Sequence, residues 1–173
     1  QKTYGGPLTD WASSIEKTVG GGYVVLGETS SFEAGDRDLW IFKIDESGEI
    51  SWQKTYGGPA RDEGDGVSKI RQTSDGGYIV AGITSSFGAG GQDAWLFKLD
   101  ADGNVTWERS YGGLHDDWSH LVDETVDGGY IMAANTRSFG AGSGDILVLK
   151  LEADGSIAGC PLGTVTNATV ADT

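Results

Sequence analysis

Acidic residues recur in the glycine-rich turns of this sequence and are its best candidates for chemistry. Carboxylate oxygens grouped in turns are the hard ligands that calcium selects. The clusters "DRD", "RDEGDG" and "DADGN" supply six candidate calcium ligands: Asp36, Asp38, Asp62, Asp65, Asp100 and Asp102. No cluster has the full spacing of an EF-hand loop. We favour the competing interpretation for Asp38 and its equivalents Asp93 and Asp145, which is that they cap turns by accepting hydrogen bonds from backbone N–H groups.

Residues for acid–base catalysis are sparse. His115 and His120 lie five positions apart in "LHDDWSH", and the other copies of this segment have no histidine there. Catalysis needs a nucleophile beside a base, paired carboxylates or a metal site. We therefore predict that the protein is not an enzyme and has no cofactor, with calcium as the one candidate ion. The single Cys160 excludes an internal disulfide.

The six tryptophans fall into pairs at equivalent positions of a repeat. Repeated packing predicts a core role for four of them: Trp40, Trp95, Trp52 and Trp107. Trp11 and Trp118 follow loop aspartates and are candidates for contact with a ligand such as a glycan. The sequons "NVT" at Asn104 and "NAT" at Asn167 are candidate glycosylation sites.

These residues sit in a tandem repeat. "QKTYGG" opens the chain and returns at residues 53–58, and "ERSYGG" follows at 108–113. The tyrosines Tyr4, Tyr56 and Tyr111 are therefore spaced by 52 and 55 residues. An aspartate lies six residues after each tyrosine, at Asp10, Asp62 and Asp117. A period of this length is typical of a propeller or a solenoid.

Each unit contains four short segments with strand character between glycine-rich turns. "YIVAGITSS" and "AWLFKLD" are apolar at both odd and even positions, so both faces of those strands must be covered. A sheet buried on both faces with polar margins is typical of a propeller blade. The sequence predicts an all-β, propeller-like fold of three four-stranded blades with repeats of 52–55 residues. A β-solenoid is the alternative, although its rungs are usually shorter.

The stretches "LFKLDADGNVTW" and "IFKIDESGEISW" resemble the tryptophan-docking motif of PQQ-type β-propellers. The whole unit is similar to the delta-60-type, PQQ-like repeats of uncharacterised secreted or surface proteins of bacteria and archaea. This resemblance covers residues 1 to about 160 and implies the propeller fold. Here three positions, rather than four, separate Asp45 from Gly48, and no quinone-binding residue can be carried across. The third copy, "KLEADGSIAGC", lacks the tryptophan.

The family's strand order makes residues 1–6 an outer strand without a blade and the last blade a blade without an outer strand. We predict a domain over residues 1–160, with units at 7–58, 59–113 and 114–160. Residues 1–6 would complete the last blade, either in the same chain or in a neighbouring chain. Residues 161–173 form a Thr-rich tail, which is a linker or a donated strand. A ring, a filament and a piece of a longer multi-blade protein remain open.

The net charge of the chain limits the classes of partner that it can bind. The net charge of −14 argues against nucleic acid and anionic membranes, and no apolar run is long enough for a membrane span. We predict an extracellular or cell-surface protein whose leader has been removed. The predicted function is non-catalytic self-assembly by β-strand complementation. The alternatives are a surface module that binds glycan or calcium through loop Asp and Trp residues, and, more distantly, a fragment of a quinoprotein-like enzyme.

Overall fold

The computed structural model describes residues 1–32, 36–64, 68–157, 163–165 and 169–172. Within these residues the secondary structure is all β-strand, with no helix. It follows that the described part of the chain holds no helix able to cross a membrane.

The first sheet is an antiparallel meander. Its strands lie in chain order and are β1 (Asp10–Lys17), β2 (Tyr23–Thr29), β3 (Asp38–Ile44) and β4 (Ile50–Gly57). Left-handed glycines make the tight reversals, since Gly22 and Gly48 have φ angles of 79° and 80°. The four strands of this unit agree with the prediction.

The second and third sheets repeat this arrangement. The second contains β5 (Asp62–Glu63), β6 (Lys69–Gln72), β7 (Tyr78–Thr84), β8 (Asp93–Leu99) and β9 (Val105–Tyr111), with β5 and β6 both paired to β7. The third contains β10 (Asp117–Glu124), β11 (Tyr130–Thr136) and β12 (Asp145–Leu151). Register is repeated as well, because Thr29 pairs with Asp38, Thr84 with Asp93 and Thr136 with Asp145.

The three sheets stack through their apolar faces. One face of the first sheet, with Leu39 and Ile41, packs on the second sheet around Trp95 and Phe97. The other face of the second sheet, with Ala94 and Leu96, packs on the third around Met132 and Leu149. The middle sheet is thus covered on both sides, as the apolar pattern of β7 and β8 predicts.

Residues 1–6 do not complete the third sheet within the chain. They form no strand, and Tyr4 packs on Phe42 at the face of the first sheet turned away from the second. Two sheet layers therefore separate this segment from β12, and the same-chain version of the predicted closure is wrong. The neighbouring-chain version stays a prediction.

The described parts of the tail form two short strands on the outer edges of the other sheets. β13 (Gly163–Val165) pairs antiparallel with β9, and β14 (Thr169–Asp172) pairs antiparallel with β4. The tail therefore adds strands to its own chain in this structure.

The stacking of the sheets predicts that residues buried between them contribute most to the free energy of unfolding. Leu39 is fully buried between the first two sheets, whereas Leu121 on β10 is 58% exposed. Leu39→Ala should lower the free energy of unfolding by about 2 to 5 kcal/mol, through lost apolar burial and the cavity left behind. The control Leu121→Ala should cost less than about 1 kcal/mol. Urea unfolding followed by tryptophan fluorescence measures both, and equal losses would contradict this account of the core.

Candidate functional site

Each "YGG" segment holds the sheet that follows it through a repeated set of contacts. The tyrosine hydroxyl donates to a carbonyl in the turn between the third and fourth strands of that sheet, or in its equivalent in the third. The three bonds are Tyr4 to Gly48 at 2.9 Å, Tyr56 to Gly103 at 2.7 Å and Tyr111 to Gly155 at 2.6 Å. A basic residue two positions earlier reaches the same turn: Lys2 contacts Glu49, Lys54 contacts Asn104 and Arg109 contacts Asp154. Residues 1–6 thus make the same contacts with the first sheet that β4 makes with the second sheet and β9 with the third.

The repeated aspartates Asp10, Asp62 and Asp117 bind the glycine end of each "YGG" segment. Asp62 accepts hydrogen bonds from the Gly58 N–H at 2.7 Å and the Ser86 hydroxyl at 2.6 Å, and from Thr84 as well. The second glycine of the other two "YGG" segments makes the same bond, from Gly6 to Asp10 and from Gly113 to Asp117. The carboxylate of Asp62, a predicted calcium ligand, therefore joins the outer strand to the next sheet.

A second aspartate explains the first glycine of "YGG". A Cβ on Gly57 would overlap the carboxylate of Asp38, and a Cβ on Gly112 would overlap that of Asp93. Asp93 accepts a hydrogen bond from the Ala89 N–H at 3.0 Å, and Asp145 accepts one from the Ala141 N–H at 3.1 Å. These bonds agree with the capping role predicted for this position.

The other predicted calcium ligands lie apart. Asp36 is exposed in the loop before β3, while Asp100 and Asp102 lie in the turn between β8 and β9. Asp100 accepts hydrogen bonds from the Asp102 N–H and from the N–H and side chain of Asn104. Asp65 lies outside the described residues. In the part of the chain that is described, no three His, Cys, Asp or Glu side chains converge as a metal site requires.

The predicted glycosylation sites differ in what the structure describes. Asn104 is exposed, but its side-chain amide nitrogen donates to Asp100 and its oxygen accepts from Lys54, both at distances of 2.7 to 2.8 Å. A glycan would replace one of the two hydrogens of that nitrogen and leave one N–H as a donor. Asn167, like Cys160, lies outside the described residues.

An arginine covers one face of each tryptophan predicted to contact a ligand. The guanidinium of Arg37 lies 4.0 Å from the ring centroid of Trp11, and that of Arg137 lies 4.6 Å from that of Trp118. Trp118 also donates its indole N–H to Gln92 at 2.6 Å. Each ring therefore has at most one face left for a ligand. Trp40 and Trp95 are buried and Trp52 and Trp107 half-buried, in agreement with their predicted core role.

A cleft of about 490 Å³ lies between the second and third sheets. Its lining includes Trp107, Tyr130 and the ion pair of Asp75 with Lys98, whose charged atoms are 2.8 Å apart. Burial works against ionisation of Asp75, but hydrogen bonds from Lys98, Thr73 and Gly77 outweigh it and lower its pKa to about 2. Asp75 is therefore ionised at neutral pH, and its pair with Lys98 forms part of the wall of the cleft.

One apolar face of the third sheet is exposed. Ile146 is 79% exposed and Val148 is 57% exposed on β12, and Ile131 on β11 is also exposed. The residues at these positions in the first sheet, Leu39, Ile41 and Val24, are fully buried. Among the described strands β12 pairs with β11 alone, so its outer edge is also open. The sequence does not distinguish this strand, because "DILVLKL" is as apolar as "DLWIFKI".

The outer face of the first sheet carries the complementary surface. A groove of about 340 Å³ runs across it, with Tyr4 at one side and Trp11 and Ile15 at the other. Gly27, Trp40 and Phe42 line its floor. Trp11 and Ile15 are 48% and 60% exposed, so the β1 side of this face is apolar and accessible, whereas Trp40 and Phe42 at its centre are buried.

No protein-family model and no curated protein matches the chain.

The acidic cluster around Asp93 should make stability depend on pH. Burial raises the pKa of Asp93 to about 6, repulsion from Asp117 and Asp116 adds to this, and the N–H groups of Ala89 and Gly90 oppose it. Between about pH 4 and this value the folded state binds a proton that the unfolded chain has released, so stability falls as pH rises. The loss should reach about 3 kcal/mol.

Asp93→Asn cannot ionise and should remove this part of the slope. Urea unfolding at a series of pH values checks the expectation, with Asp102→Asn in an exposed turn as the matched control. Identical slopes for the wild type and Asp93→Asn would contradict it.

Proposed function

We propose that this protein is a non-catalytic assembly module whose three sheets act as propeller-like blades. The open face of the third sheet packs on the outer face of the first sheet of another copy. One observation carries the proposal: the chain already makes this type of joint twice, between its first and second and its second and third sheets. The two unpaired faces are the two halves of a third joint.

Side-chain sizes support a copy of this chain as the partner. At the centre of the first joint, Leu39 Cδ1 lies 2.8 Å from the position that a Cβ on Gly82 would occupy. The equivalent residues in the second joint are Ala94 and Ala134, both buried in the same cluster. A large residue thus faces glycine, and a small residue faces alanine. The open faces present Ile146 and Gly27, which again combine a large residue with glycine. Glycine at position 27 is also required within the chain, because a Cβ there would overlap the Trp11 carbonyl oxygen.

The proposed contact is heterologous, because two different surfaces of each copy meet. Such contacts generate closed rings when the rotation closes and filaments when it does not. The apolar side chains on the open face supply the driving force for association, since burial of each exposed aliphatic residue lowers the free energy. Calcium or glycan binding ranks lower, because the described carboxylates Asp62 and Asp100 accept several bonds within the chain and arginines cover one face of Trp11 and Trp118.

The proposed setting is outside the cell or at its surface. An acidic composition, with a net charge of −14, keeps an assembling protein soluble and away from polyanions. The resemblance to secreted repeat proteins points the same way.

Assembly should depend on the open face of β12. Val148→Asp places a carboxylate at the position where Ile41 is fully buried in the first joint. Desolvation of that charge should weaken self-association at least about 100-fold. The control Val126→Asp changes a fully exposed valine in the turn between β10 and β11 and should assemble like the wild type. Sedimentation velocity and light scattering over a concentration series measure both.

A wild-type chain that stays monomeric at high concentration would overturn the proposal. Assembly that Val148→Asp leaves intact would also overturn it. Circular dichroism of each variant checks that the sheets are folded.

A further inference from the structure

We infer that residues 1–6 of one copy become the fourth strand of the third sheet of the next copy, in one fixed antiparallel register. This inference rests on the proposed face-to-face assembly and adds a strand pairing that the assembly does not itself require. The partner is a second copy of this chain. The surface involved is the open edge of β12 together with the segment beside Tyr4.

Residues 1–6 already occupy the place of an outer strand relative to the sheet that follows. Lys2 contacts Glu49, the Tyr4 hydroxyl donates to Gly48, and the Gly6 N–H donates to Asp10. These are the contacts that β4 and β9 make with the second and third sheets. In addition, β4 and β9 each pair with the third strand of their own sheet, and residues 1–6 lack such a pairing within the described part of the chain.

β12 supplies that missing pairing. In the first sheet β4 pairs with β3, and in the second β9 pairs with β8, whereas β12 has no such partner among the described strands. When a neighbouring third sheet packs on the first sheet in the geometry of the internal joints, its β12 edge lies beside residues 1–6. An unpaired strand edge presents N–H and C=O groups that an extended segment can satisfy.

The internal joints define the register. Leu39 pairs with Tyr56 and Ala94 with Tyr111, while Phe42 pairs with Gln53 and Phe97 with Glu108. Transferred to the joint between copies, the pairs are Ile146 with Tyr4, Leu147 with Thr3, Val148 with Lys2, and Leu149 with Gln1. A shift of one residue would turn Tyr4 to the opposite face and away from Gly48.

Gly5 and Asp145 favour the same register. A Cβ on Gly57 or Gly112 would overlap the carboxylate of the aspartate that begins the third strand of the sheet. In the transferred register Gly5 takes this position and Asp145 of the neighbouring copy provides the carboxylate. Asp145 is exposed in the chain by itself, and its carboxylate is already oriented by the Ala141 N–H.

Disulfide trapping between two singly substituted proteins tests the register. Both carry Cys160→Ser, and one carries an affinity tag that separates the mixed dimer by size. Lys2→Cys mixed with Val148→Cys should form a disulfide under mild oxidation, because these residues are directly opposed. The matched control, Lys2→Cys with Ile146→Cys, uses the same face two residues away. Such diagonal pairs lie about 7 to 8 Å apart, which exceeds the usual Cα separation of a disulfide.

We expect at least about tenfold more mixed dimer from the opposed pair than from the diagonal pair. Equal yields, or none from the opposed pair, in samples that light scattering shows to be assembled would overturn the inferred strand pairing and leave the proposed function standing. Samples that do not assemble before substitution at Lys2 or Val148 would overturn the proposed function, and the strand pairing with it.

Discussion

Each sheet carries apolar side chains on both faces, and the requirement to cover both of them governs the rest of the structure. An amphipathic sheet can leave one face in water, but strands such as β7 and β8 are buried along their whole length. A similar sheet is the simplest cover for each face. Stacking therefore follows from the composition of two strands per unit. In the described part of the chain Ile146 and Val148 of the third sheet are exposed, whereas Tyr4 and Phe32 pack on the outer face of the first sheet.

Polar residues control how the sheets are placed within that stack. Apolar burial has no direction, whereas the tyrosine hydroxyl bonded to a turn carbonyl and the aspartate bonded to a glycine N–H each require a single position. The tyrosine lies on the outer strand of one sheet, whereas the aspartate begins the first strand of the next sheet. The outer strand therefore belongs to two sheets at once, by main-chain pairing to one and by side-chain contacts to the next.

Much of the fold could be predicted from sequence, because glycine turns and the parity of apolar residues reveal four strands per unit. Among the described residues the third unit has no fourth strand beside β12, as the absent tryptophan predicts. The sequence could not reveal on which side of the stack residues 1–6 lie. The repeat "QKTYGG" indicates that they resemble an outer strand, but it does not indicate which sheet they contact. The arginines over Trp11 and Trp118 also escaped prediction, because Arg37 and Arg137 occupy different positions in their repeats.

The sizes of the facing residues have a consequence for folding. Units this similar in sequence risk kinetic traps in which the wrong sheets dock, a known failure of repeat proteins. Docking the first sheet directly on the third would press Leu39 against Ala134, where the native joint has glycine at Gly82 to admit it. Such an error costs packing energy, so the difference in side-chain size at this position favours the native order of the three sheets during folding.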